Sequence, residues 1–556
     1  MATKYVDQVN GQDTNDGSQS KPWKNWSHAL YGKRLSGGDT LVLTGGVHNA
    51  LYGSAIFGVT DVGGTGGDVK IVGAASLGTE IQPPANLTDG MIRGAKGGPR
   101  LLFEGIKFTN PGGVQERIGE AVAESKLAFK NCEVDYGVGN FPFDLSGGQL
   151  EIIGGKIISA QSPVNTRRDN GAALLSGVYL DDVKFGLYGS KRVNFQMVDC
   201  EISGKESFWL IVYSGPDGGL TGFVKKNKIH LTSKCKTPLN LYDAVYNALE
   251  RGEFAIEDNI FYRDLFGLNA SARLKIYHDI SAKQSGGCRY IPPKNYFVAF
   301  DSAVAQAVLS GQPLPQSSGD AVYGCGDSIV KDGRWKPAFK EAAGKDGHAT
   351  ENTAIGGARM SGAFWLIDDM MRTHNPKYVY LQAGINDFFS KVQDDTFIAQ
   401  AVQLAVSMAE KVKTYGAIPI WCGCTPRNAT QNEDIAKFNT QSKAAMNTIG
   451  VKSFSIYEEF LKNPAWATEY YDNIASDVHP NAAGQAAIGK AWGEFYKNNF
   501  SGVLPPPPMP GDFSAWVPFT GTMPSLAFAP AAPGKLKEVQ VWDKIVGKDE
   551  IDGVPQ

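Results

Sequence analysis

Residues 35–290 repeat a short pattern of apolar and polar positions. An apolar residue is followed by four mostly polar or small residues and then by a second apolar residue. The pairs are Phe103 and Phe108, Phe129 and Val134, Ile152 and Ile157, Leu180 and Phe185, Met197 and Ile202, Val224 and Ile229, and Ile256 and Phe261, with first members 26, 23, 28, 17, 27 and 32 residues apart. Self-similarity at about twenty to thirty residues is typical of a solenoid. The pattern predicts a parallel β-helix whose coils stack their apolar side chains, and an antiparallel sandwich with chance spacing is the alternative.

A different pattern begins near residue 297, where apolar runs alternate with helical periodicity. Residues 298–309 and 482–498 predict helices, and residues 379–381 and 417–422 predict strands. A further predicted helix has Asp394 or Asp395 near its N-terminus and an apolar face made of Phe397, Ala401, Leu404, Ala405, Met408 and Val412. This alternation favours a parallel sheet covered by helices on both faces.

Glycine and proline set the predicted boundaries. Residues 311–319 indicate a linker, and prolines 505–508 end the α/β unit, because proline fits neither a helix interior nor a central strand. The predicted organisation is an N-terminal strand and capping helix (1–34), a parallel β-helix (35–296), a helix and linker (297–319), an α/β unit (320–503) and a small Pro-rich C-terminal appendage (504–556). The fold class is therefore mixed β and α/β.

Composition narrows the possible functions. The chain has 54 Lys and Arg against 57 Asp and Glu, a net charge of −3, which argues against a dedicated nucleic-acid binder. No apolar run approaches the ~18 residues of a membrane span, so membrane insertion is not expected. The first residues show neither a basic region nor an apolar core, so we expect no signal peptide. We therefore expect a cytoplasmic protein or one that reaches the outside by another route, such as virion assembly.

Cysteine and histidine give little sign of a metal site. The seven cysteines include one close pair, Cys422 and Cys424, and we expect them to be small buried apolar residues. Six histidines lack ligand spacing with one another and are interpreted as structural: His28, His48, His230, His278, His348 and His374. No metal or cofactor is expected.

Four short stretches of the α/β unit carry candidate chemistry. They are Gly326-Asp327-Ser328, Ile355-Gly356-Gly357, Gly384-Ile385-Asn386-Asp387 and Asp477-Val478-His479-Pro480. In this order, with the serine just past an apolar start and the histidine before a terminal helix, they resemble the four blocks of the SGNH (GDSL-type) hydrolase family. The resemblance covers about residues 320–500 and implies a three-layer α/β domain that acts as a serine esterase.

The resemblance also implies a role for each residue. Ester hydrolysis needs a nucleophile, a base and donors for the developing oxyanion. Ser328 is then the nucleophile, and His479 is the base that later protonates the leaving alcohol. The backbone N–H groups of Ser328 and Gly357 and the side-chain amide of Asn386 form the oxyanion hole. Glycine at 357 allows the backbone to approach the reacting carbonyl closely.

The third member of the triad departs from the family pattern. The family usually has its acid three residues before the histidine, and here that position is Ser476. The imidazole still needs a partner on Nδ1 to fix its tautomer. Asp477 is the favoured partner, and Asp472, a backbone carbonyl or a Ser–His dyad are alternatives. The D-x-H-P ending is similar to that of carbohydrate O-acetylesterases of related fold.

The N-terminus resembles the start of right-handed parallel β-helix proteins of the pectate-lyase-like class. A strand and an Asn/Asp/Gly turn over residues 5–18 lead to a short helix and then to Gly38-Asp39-Thr40 before an apolar run. Such a helix covers the open apolar end of a solenoid, with Trp26, Ala29 and Leu30 facing inward.

A β-helix joined to an esterase resembles phage tailspikes that deacetylate bacterial surface polysaccharide. The resemblance implies an acetylated polysaccharide substrate, a homotrimer, contact with other virion tail proteins and a location on the virion, or otherwise outside the cell. Three alternatives stay open: a bacterial carbohydrate esterase with a β-helix binding module, a β-helix lyase or glycosidase with an accessory esterase, and an adhesin with an inactive serine site.

Other polar residues have structural interpretations. Asp327 and Asp387 are expected to be turn or cap carboxylates, and Ser328 has the alternative of a plain helix N-cap. A second active site for glycoside cleavage would use paired acids among Asp181, Asp182, Asp199 and Glu201, although carboxylates at solenoid corners are usually solvated. Trp209 and Tyr213 are candidates either for stacking on sugar rings or for packing.

Overall fold

The computed structural model describes residues 1–30, 32–49, 67–74, 78–83, 91–94, 96–110, 117–135, 141–158, 160–232, 238–281, 290–317, 320–388, 394–427, 429–474 and 478–500. The chain divides into two compact units, one over Met1–Ile256 and one that begins at Glu257. Sequence analysis placed the corresponding boundary at 296. The predicted appendage at 504–556 lies outside the described residues.

The first unit is built of short strands. In chain order they are β1 (Thr3–Val6), β2 (Thr40–Leu43), β3 (Gly46–Asn49), β4 (Val69–Gly73), β5 (Thr79–Gln82), β6 (Ile92–Arg93), β7 (Leu101–Glu104), β8 (Ile106–Thr109), β9 (Gly119–Val122), β10 (Lys126–Lys130), β11 (Glu133–Asp135), β12 (Phe143–Ser146), β13 (Gln149–Ile153), β14 (Lys156–Ile158), β15 (Val164–Arg168), β16 (Gly171–Ser176), β17 (Tyr179–Gly189), β18 (Val193–Val198), β19 (Glu201–Tyr213), β20 (Leu220–Lys225), β21 (Lys228–His230) and β22 (Phe254–Glu257). Two helices, α1 (Trp26–Ala29) and α2 (Asp243–Glu250), accompany them.

These strands form large parallel sheets. One row has the order β1-β2-β4-β7-β10-β13-β16-β18-β20-β22, and a second contains β3-β5-β8-β11-β14-β17-β19-β21. A third row, β6-β9-β12-β15, joins the second at β17. Apart from β1 and β2, which pair with each other, successive strands alternate between rows instead of pairing with their chain neighbours. This is the pattern of parallel rather than hairpin connections.

Two ladders of apolar side chains run through the first unit. In one, Phe103, Phe129, Ile152, Leu175, Met197 and Val224 are successive register partners. In the other, Phe108, Val134, Ile157, Leu180, Ile202 and Ile229 are partners. All twelve side chains are buried, and the rings of Phe103 and Phe129 stack with centroids 5.2 Å apart. The ladders extend the burial of each strand to its neighbours.

One predicted pair is out of register. The five-residue spacing predicts Leu180 and Phe185 as the two apolar positions of one coil, but Leu180 belongs to the second ladder and Leu175 occupies the first. The error arose because Leu180 is five residues from both Leu175 and Phe185, so spacing alone does not choose between them. With Leu175 in place the irregular intervals of 28 and 17 residues become 23 and 22.

The residues of helix α1 that were predicted to face inward are buried, as is the rest of the helix. Trp26, Ala29 and Leu30 are buried, and the Trp26 ring packs edge-on against Phe103 with centroids 6.3 Å apart. The helix is a single turn, so this packing rather than helix propensity holds it.

The second unit alternates strands and helices. Its elements are β23 (Asn259–Tyr262), α3 (Ala270–Ser281), β24 (Asn295–Phe297), α4 (Ala303–Ser310), β25 (Val322–Gly326), α5 (Ser328–Asp332), α6 (Lys336–Ala343), β26 (Gly347–His348), α7 (Met360–His374), β27 (Tyr378–Gln382), α8 (Asp395–Thr414), β28 (Ile418–Trp421), α9 (Ala429–Thr448), β29 (Lys452–Ser453), α10 (Ile456–Leu461), α11 (Trp466–Glu469) and α12 (Ala482–Phe500).

A parallel five-stranded sheet, in the order β26-β25-β27-β28-β29, is the centre of this unit. Helices α7, α8 and α9 pack together as one group and α6 with α12 as another. The rings of Tyr380 and Trp492 stack at 4.8 Å, and Trp335 packs on Trp492 at the same distance. Sheet strands Tyr378–Gln382 and Ile418–Trp421 confirm the two predicted strands.

Two predicted helices agree with the structure and one starts later. The helix after Asp394 is α8, and the Asp394 side chain accepts a hydrogen bond from Phe397 N at 2.8 Å, as expected for an N-cap. The last helix is α12. The helix predicted over 298–309 begins only at Ala303, because the Ser302 side chain caps it by accepting from Ala305 N.

In the described part of the chain, none of the helices has the length and apolar content needed to cross a membrane. The five cysteines within it are buried without disulfides, which confirms the expectation for Cys132, Cys200, Cys325, Cys422 and Cys424.

Candidate active site

Ser328 is positioned by the turn between β25 and α5. Strand β25 ends at Gly326, and Asp327 is the N-cap of α5, with its carboxylate accepting from Ile329 N at 2.9 Å. Ser328 is thus the first helical residue and not the cap. Its side chain is half-buried at the end of a central strand, where ligands bind in parallel α/β sheets.

The Asp327 carboxyl is buried, with 1% exposure. Burial raises its pKa to about 7, and the nearby Asp387 carboxylate acts in the same direction. Asp387 itself accepts a hydrogen bond from Met360 N at 2.9 Å, at the first turn of α7. Both aspartates therefore cap helices, as sequence analysis expected.

His479 lies beside Ser328. Its Nε2 atom is 2.8 Å from Ser328 Oγ, and the imidazole is exposed to solvent. The following residues are anchored, since Asn481 N donates to Tyr470 O at 2.8 Å and the Asn481 side chain accepts from Ala483 N and Gly484 N at the start of α12. This geometry suits proton transfer from the hydroxyl to the imidazole.

The 355–357 loop reaches the same place. Ile355 N donates to Gly326 O at 3.2 Å, which ties the loop to the end of β25. A methyl group added at Gly356 would lie 3.9 Å from Ser328 Cβ, so this loop passes close to the serine. Gly357 has a φ of +79°, in the left-handed region where glycine is favoured.

Asn386 is oriented by the residue that follows Gly357. Its Nδ2 atom donates to Ala358 O at 2.9 Å, which fixes the plane of the amide. An amide nitrogen carries two hydrogens, so this bond uses one donor of the group. Gly384, two residues before Asn386, has a φ of +120°, and an added Cβ there would stand 2.8 Å from Cys424 Sγ. Sequence analysis missed the Ala358 carbonyl because no side-chain motif marks a backbone acceptor.

Asp477, the favoured third member, and Ser476 lie outside the described residues. The rival acid Asp472 accepts a hydrogen bond from Asn481 Nδ2 at 3.1 Å, so its carboxylate supports the turn before α12. The structure therefore brings together Ser328, His479, Asn386 and the loop with Gly357.

His278 supports the start of α7 from outside the four blocks. Its Nε2 accepts from Arg359 N at 3.2 Å, two residues after Gly357. An added Cβ at Gly362 would stand 2.6 Å from the imidazole ring, so the ring sits against the first turn of the helix. Burial, together with the nearby Arg359 guanidinium, lowers the pKa of His278 to about 4, which keeps Nε2 an acceptor. Sequence analysis took this residue as structural, and only the packing of α3 on α7 links it to the site.

Two of the acids considered in the strand repeat have basic partners. Asp181 bonds Lys156 at 2.9 Å, and Glu201 lies 2.9 Å from His230. Asp182 lies at a register irregularity inside β17 and Asp199 lies between β18 and β19, with φ values of 55° and 54°. Tyr213 is fully buried, which favours packing over sugar stacking for that residue.

Comparison with known proteins places this site in a class. Residues 321–487 match the GDSL-like Lipase/Acylhydrolase family, so this part of the chain is a GDSL-type (SGNH) hydrolase domain. This family match supports the assignment of the domain as a carboxylic ester hydrolase.

Similar solved structures cover about a third of the chain. A member of the lipolytic G-D-S-L family from Veillonella parvula is 16% identical over 33% of this chain and 100% of its own, with a TM-score of 0.27. A lipase/acylhydrolase from Enterococcus faecalis is 14% identical over 32% and 96%, with a TM-score of 0.27. A GDSL-like lipase from Bacteroides thetaiotaomicron is 18% identical over 31% and 84%, with a TM-score of 0.24. No curated protein matches the chain.

Proposed function

We propose that this protein is a serine esterase that removes O-acetyl groups from a bacterial surface polysaccharide. The observation that carries the esterase part is the 2.8 Å contact between Ser328 Oγ and His479 Nε2 inside the GDSL-type domain. In the proposed reaction Ser328 Oγ attacks the acetyl carbonyl carbon, and its proton passes to His479 Nε2. The bond from that carbon to the sugar oxygen then breaks, and His479 returns the proton to the sugar oxygen.

Water completes the cycle by the same steps. It attacks the acetyl-Ser328 ester and gives a proton to His479, and the proton returns to Ser328 Oγ as acetate leaves. The oxyanion formed in each half accepts from the N–H groups of Ser328 and Gly357 and from the Asn386 amide. In this proposal Asp477 holds the imidazole in the required tautomer and stabilises its protonated form.

The polysaccharide part rests on the first unit. We interpret its parallel rows as the coils of a right-handed β-helix, because apolar register partners recur from Phe103 to Val224 in every successive strand of one row. A stacked surface of this kind presents similar positions at strand spacing, about 4.8 Å, and so suits a repetitive polymer. The tailspike context adds a homotrimer on a phage tail that contacts other virion tail proteins.

Acetyl NMR on purified polysaccharides tests the substrate. The full chain is incubated with a panel of O-acetylated bacterial capsules and O-antigens, and the acetyl signals of each polymer are followed. We expect free acetate from at least one polymer without a fall in viscosity, since deacetylation leaves the backbone intact. Ser328→Ala should release none, and Ser453→Ala, on β29 of the same unit, provides the matched control.

Two outcomes contradict the proposal. Acetate release that survives Ser328→Ala removes the assigned nucleophile. A steep fall in viscosity with the Ser328→Ala protein makes the first unit a backbone-cleaving enzyme instead. Sedimentation equilibrium of the full chain tests the trimer, which requires three times the mass of one chain.

A further inference from the structure

An aromatic strip crosses successive strands of the first unit. It consists of Phe141, Phe185, Tyr188, Trp209 and Tyr242. Ring centroids are 5.3 Å apart for Phe141 and Tyr188, 5.6 Å for Tyr188 and Phe185, 6.0 Å for Phe185 and Trp209, and 5.8 Å for Trp209 and Tyr242. The rings come from four separate stretches of chain, so tertiary packing and not local sequence assembles them. Within the strip, Phe185 and Trp209 are register partners on β17 and β19.

The strip faces solvent. Tyr188 is 39% exposed and Tyr242 is 42% exposed, whereas Phe185 beneath them is 6% exposed. Phe141 and Trp209 are half-buried. A contiguous set of rings, of which two are exposed and two are partly exposed, is a surface feature typical of binding sites.

A polar column meets the strip at Tyr188. Arg93, Glu120, Asp144, Asn165 and Tyr188 are successive register partners on β6, β9, β12, β15 and β17. Register partners on parallel strands point to the same side of the sheet. The column therefore continues the line of the aromatic strip across four further strands.

Two cations with exposed side chains, Arg167 and Lys184, lie beside the strip, and Asp243, next to Tyr242, is an exposed acid there. Asp144 and Glu120 are buried, with Asp144 Oδ2 held by Arg117 at 2.6 Å and by Arg167 at 2.7 Å. The Arg167 side chain is half exposed, and Lys184 is exposed with its Nζ 5.2 Å from the Phe185 ring centroid. Glu120 and Asp144 thus lie inward, whereas Arg167 and Lys184 lie outward.

We infer that the aromatic strip and the cationic positions beside it bind an acidic polysaccharide. This inference rests on the proposed function, because it names the surface that holds the polymer deacetylated at Ser328. The apolar C–H face of a sugar ring packs on an aromatic face, and its polarised hydrogens meet the negative face of the ring. Arg167 and Lys184 would pair with acidic groups along the chain, since guanidinium binds carboxylate well.

In our inference, the two carboxylates of the polar column, Glu120 and Asp144, stabilise the binding surface. They take no part in glycoside cleavage. A glycosidase needs one carboxyl free to give a proton and a second free to attack or to activate water. Asp144 is bound by Arg117, Arg167 and by Asn165 Nδ2 at 2.8 Å. Glu120 is bound by Arg93 at 2.9 Å and by Ser146 at 2.6 Å. The bonds of Asp144 and Glu120 instead orient Arg93, Arg117 and Arg167.

Binding is tested with the full chain carrying Ser328→Ala, so that the probes stay acetylated. The probes are purified acidic and neutral bacterial capsular polysaccharides and O-antigens, measured by biolayer interferometry. We expect binding to at least one acidic polymer that weakens as salt rises. Trp209→Ala and Tyr242→Ala should each weaken it by about tenfold or more, as for central aromatic contacts. Phe266→Ala is the matched control, since this ring is 95% exposed in the second unit.

Three results would each overturn the inference. The first is that no acidic polymer binds, and the second is that both strip variants have the same Kd as their parent. The third is a changed oligomeric state in the strip variants, which would make the strip an interface between copies. Acetyl NMR with Ser328 intact separates this failure from failure of the proposed function. Binding that depends on the strip without acetate release contradicts only the esterase proposal, and acetate release without dependence on the strip contradicts only the binding surface.

Discussion

Ser328 and His479 are 151 positions apart in the chain, and their side chains meet at hydrogen-bond distance. The four sequence blocks named the residues that converge here, because hydrolysis restricts which side chains suffice. The blocks did not reveal how Asn386 is held, since its partner is the backbone carbonyl of Ala358. At this scale the sequence predicts identities and the fold supplies orientations.

Asn386→Ala should lower turnover of p-nitrophenyl acetate about a hundredfold or more. The substitution removes a side-chain donor from the oxyanion, and one such donor is worth roughly 10²–10³ in kcat. The thermal midpoint should change little, because the side chain is only half-buried. Asn447→Ala, at an exposed position of α9, serves as control. A loss below threefold in a folded Asn386→Ala protein contradicts the oxyanion assignment.

Asp477→Asn decides between a triad and a dyad. If Asp477 orients His479, the variant should lose on the order of 10⁴-fold in kcat, because an amide stabilises the wrong imidazole tautomer. A loss of less than threefold favours the dyad. Ser476→Asp places a carboxylate at the usual family position, and its ability to restore activity to the Asp477→Asn protein shows whether that position reaches the imidazole.

Helix α7 shows how an element positions the site. Its N-cap, Arg359, makes no side-chain capping bond, and its backbone N–H is accepted by His278 of α3 instead. An ion pair between Arg273 and Asp369, at 2.8 Å, joins the same two helices. Sequence periodicity predicted neither contact, because α3 lies before the matched family region and no local pattern tells which helix it will pack against.

Replacement of His278 tests this contact. His278→Leu removes the acceptor, and because Gly357 lies two residues from Arg359 we expect a roughly ten- to hundredfold lower kcat with little change in KM. His278→Gln retains an acceptor oxygen and should restore most of the activity. Equal losses in kcat for Gln and Leu would contradict a positioning role.

Acidification should weaken this contact in the wild type. The pKa of His278, about 4 when folded, lies below its ordinary 6.5, so the unfolded chain binds more protons between these values. The contribution of His278 to stability is therefore present above pH 6.5 and is lost as the pH falls towards 4. Arg359 and Lys275 lower this pKa and Asp279 raises it. Urea unfolding at several pH values gives the free energy of unfolding as a function of pH. Over this window that free energy should rise less steeply with pH for His278→Gln than for the wild type.

At the scale of the whole molecule, distant segments of the second unit meet in a buried ion pair. Lys411 Nζ lies 2.7 Å from Asp368 Oδ2, and both side chains are fully buried. Lys411 also donates to Asn295 O at 2.9 Å, and Tyr415 donates to Asp368 Oδ1 at 2.7 Å. Burial lowers the pKa of Lys411 and raises that of Asp368. The pair joins β24, α7 and α8. Nothing in the local sequence around Asp368 or Lys411 indicated that these charged residues would be buried.

Lys411→Met should lower the free energy of unfolding by about 3–5 kcal/mol, because it leaves the Asp368 carboxylate buried without its cation. Adding Asp368→Asn to it should recover part of that loss. Lys413→Met is the control, because Lys413 is partly exposed and its bond to Glu410 is worth about 1 kcal/mol or less. Urea unfolding followed by tryptophan fluorescence measures all three, and an Lys411→Met protein as stable as the control contradicts the expected penalty.

The sequence by itself determined the approximate period of the strand repeat, two strands and two helices of the α/β unit and the residues of the hydrolase blocks. Those features arise from local periodicity and from the few side chains that ester chemistry accepts. Only the tertiary structure decided that Leu175 and not Leu180 continues the first ladder, that His278 supports α7 and that five scattered aromatic rings form one strip. Register and packing join residues that are far apart in the chain. Such contacts cannot be deduced from the spacing of residues within one short segment.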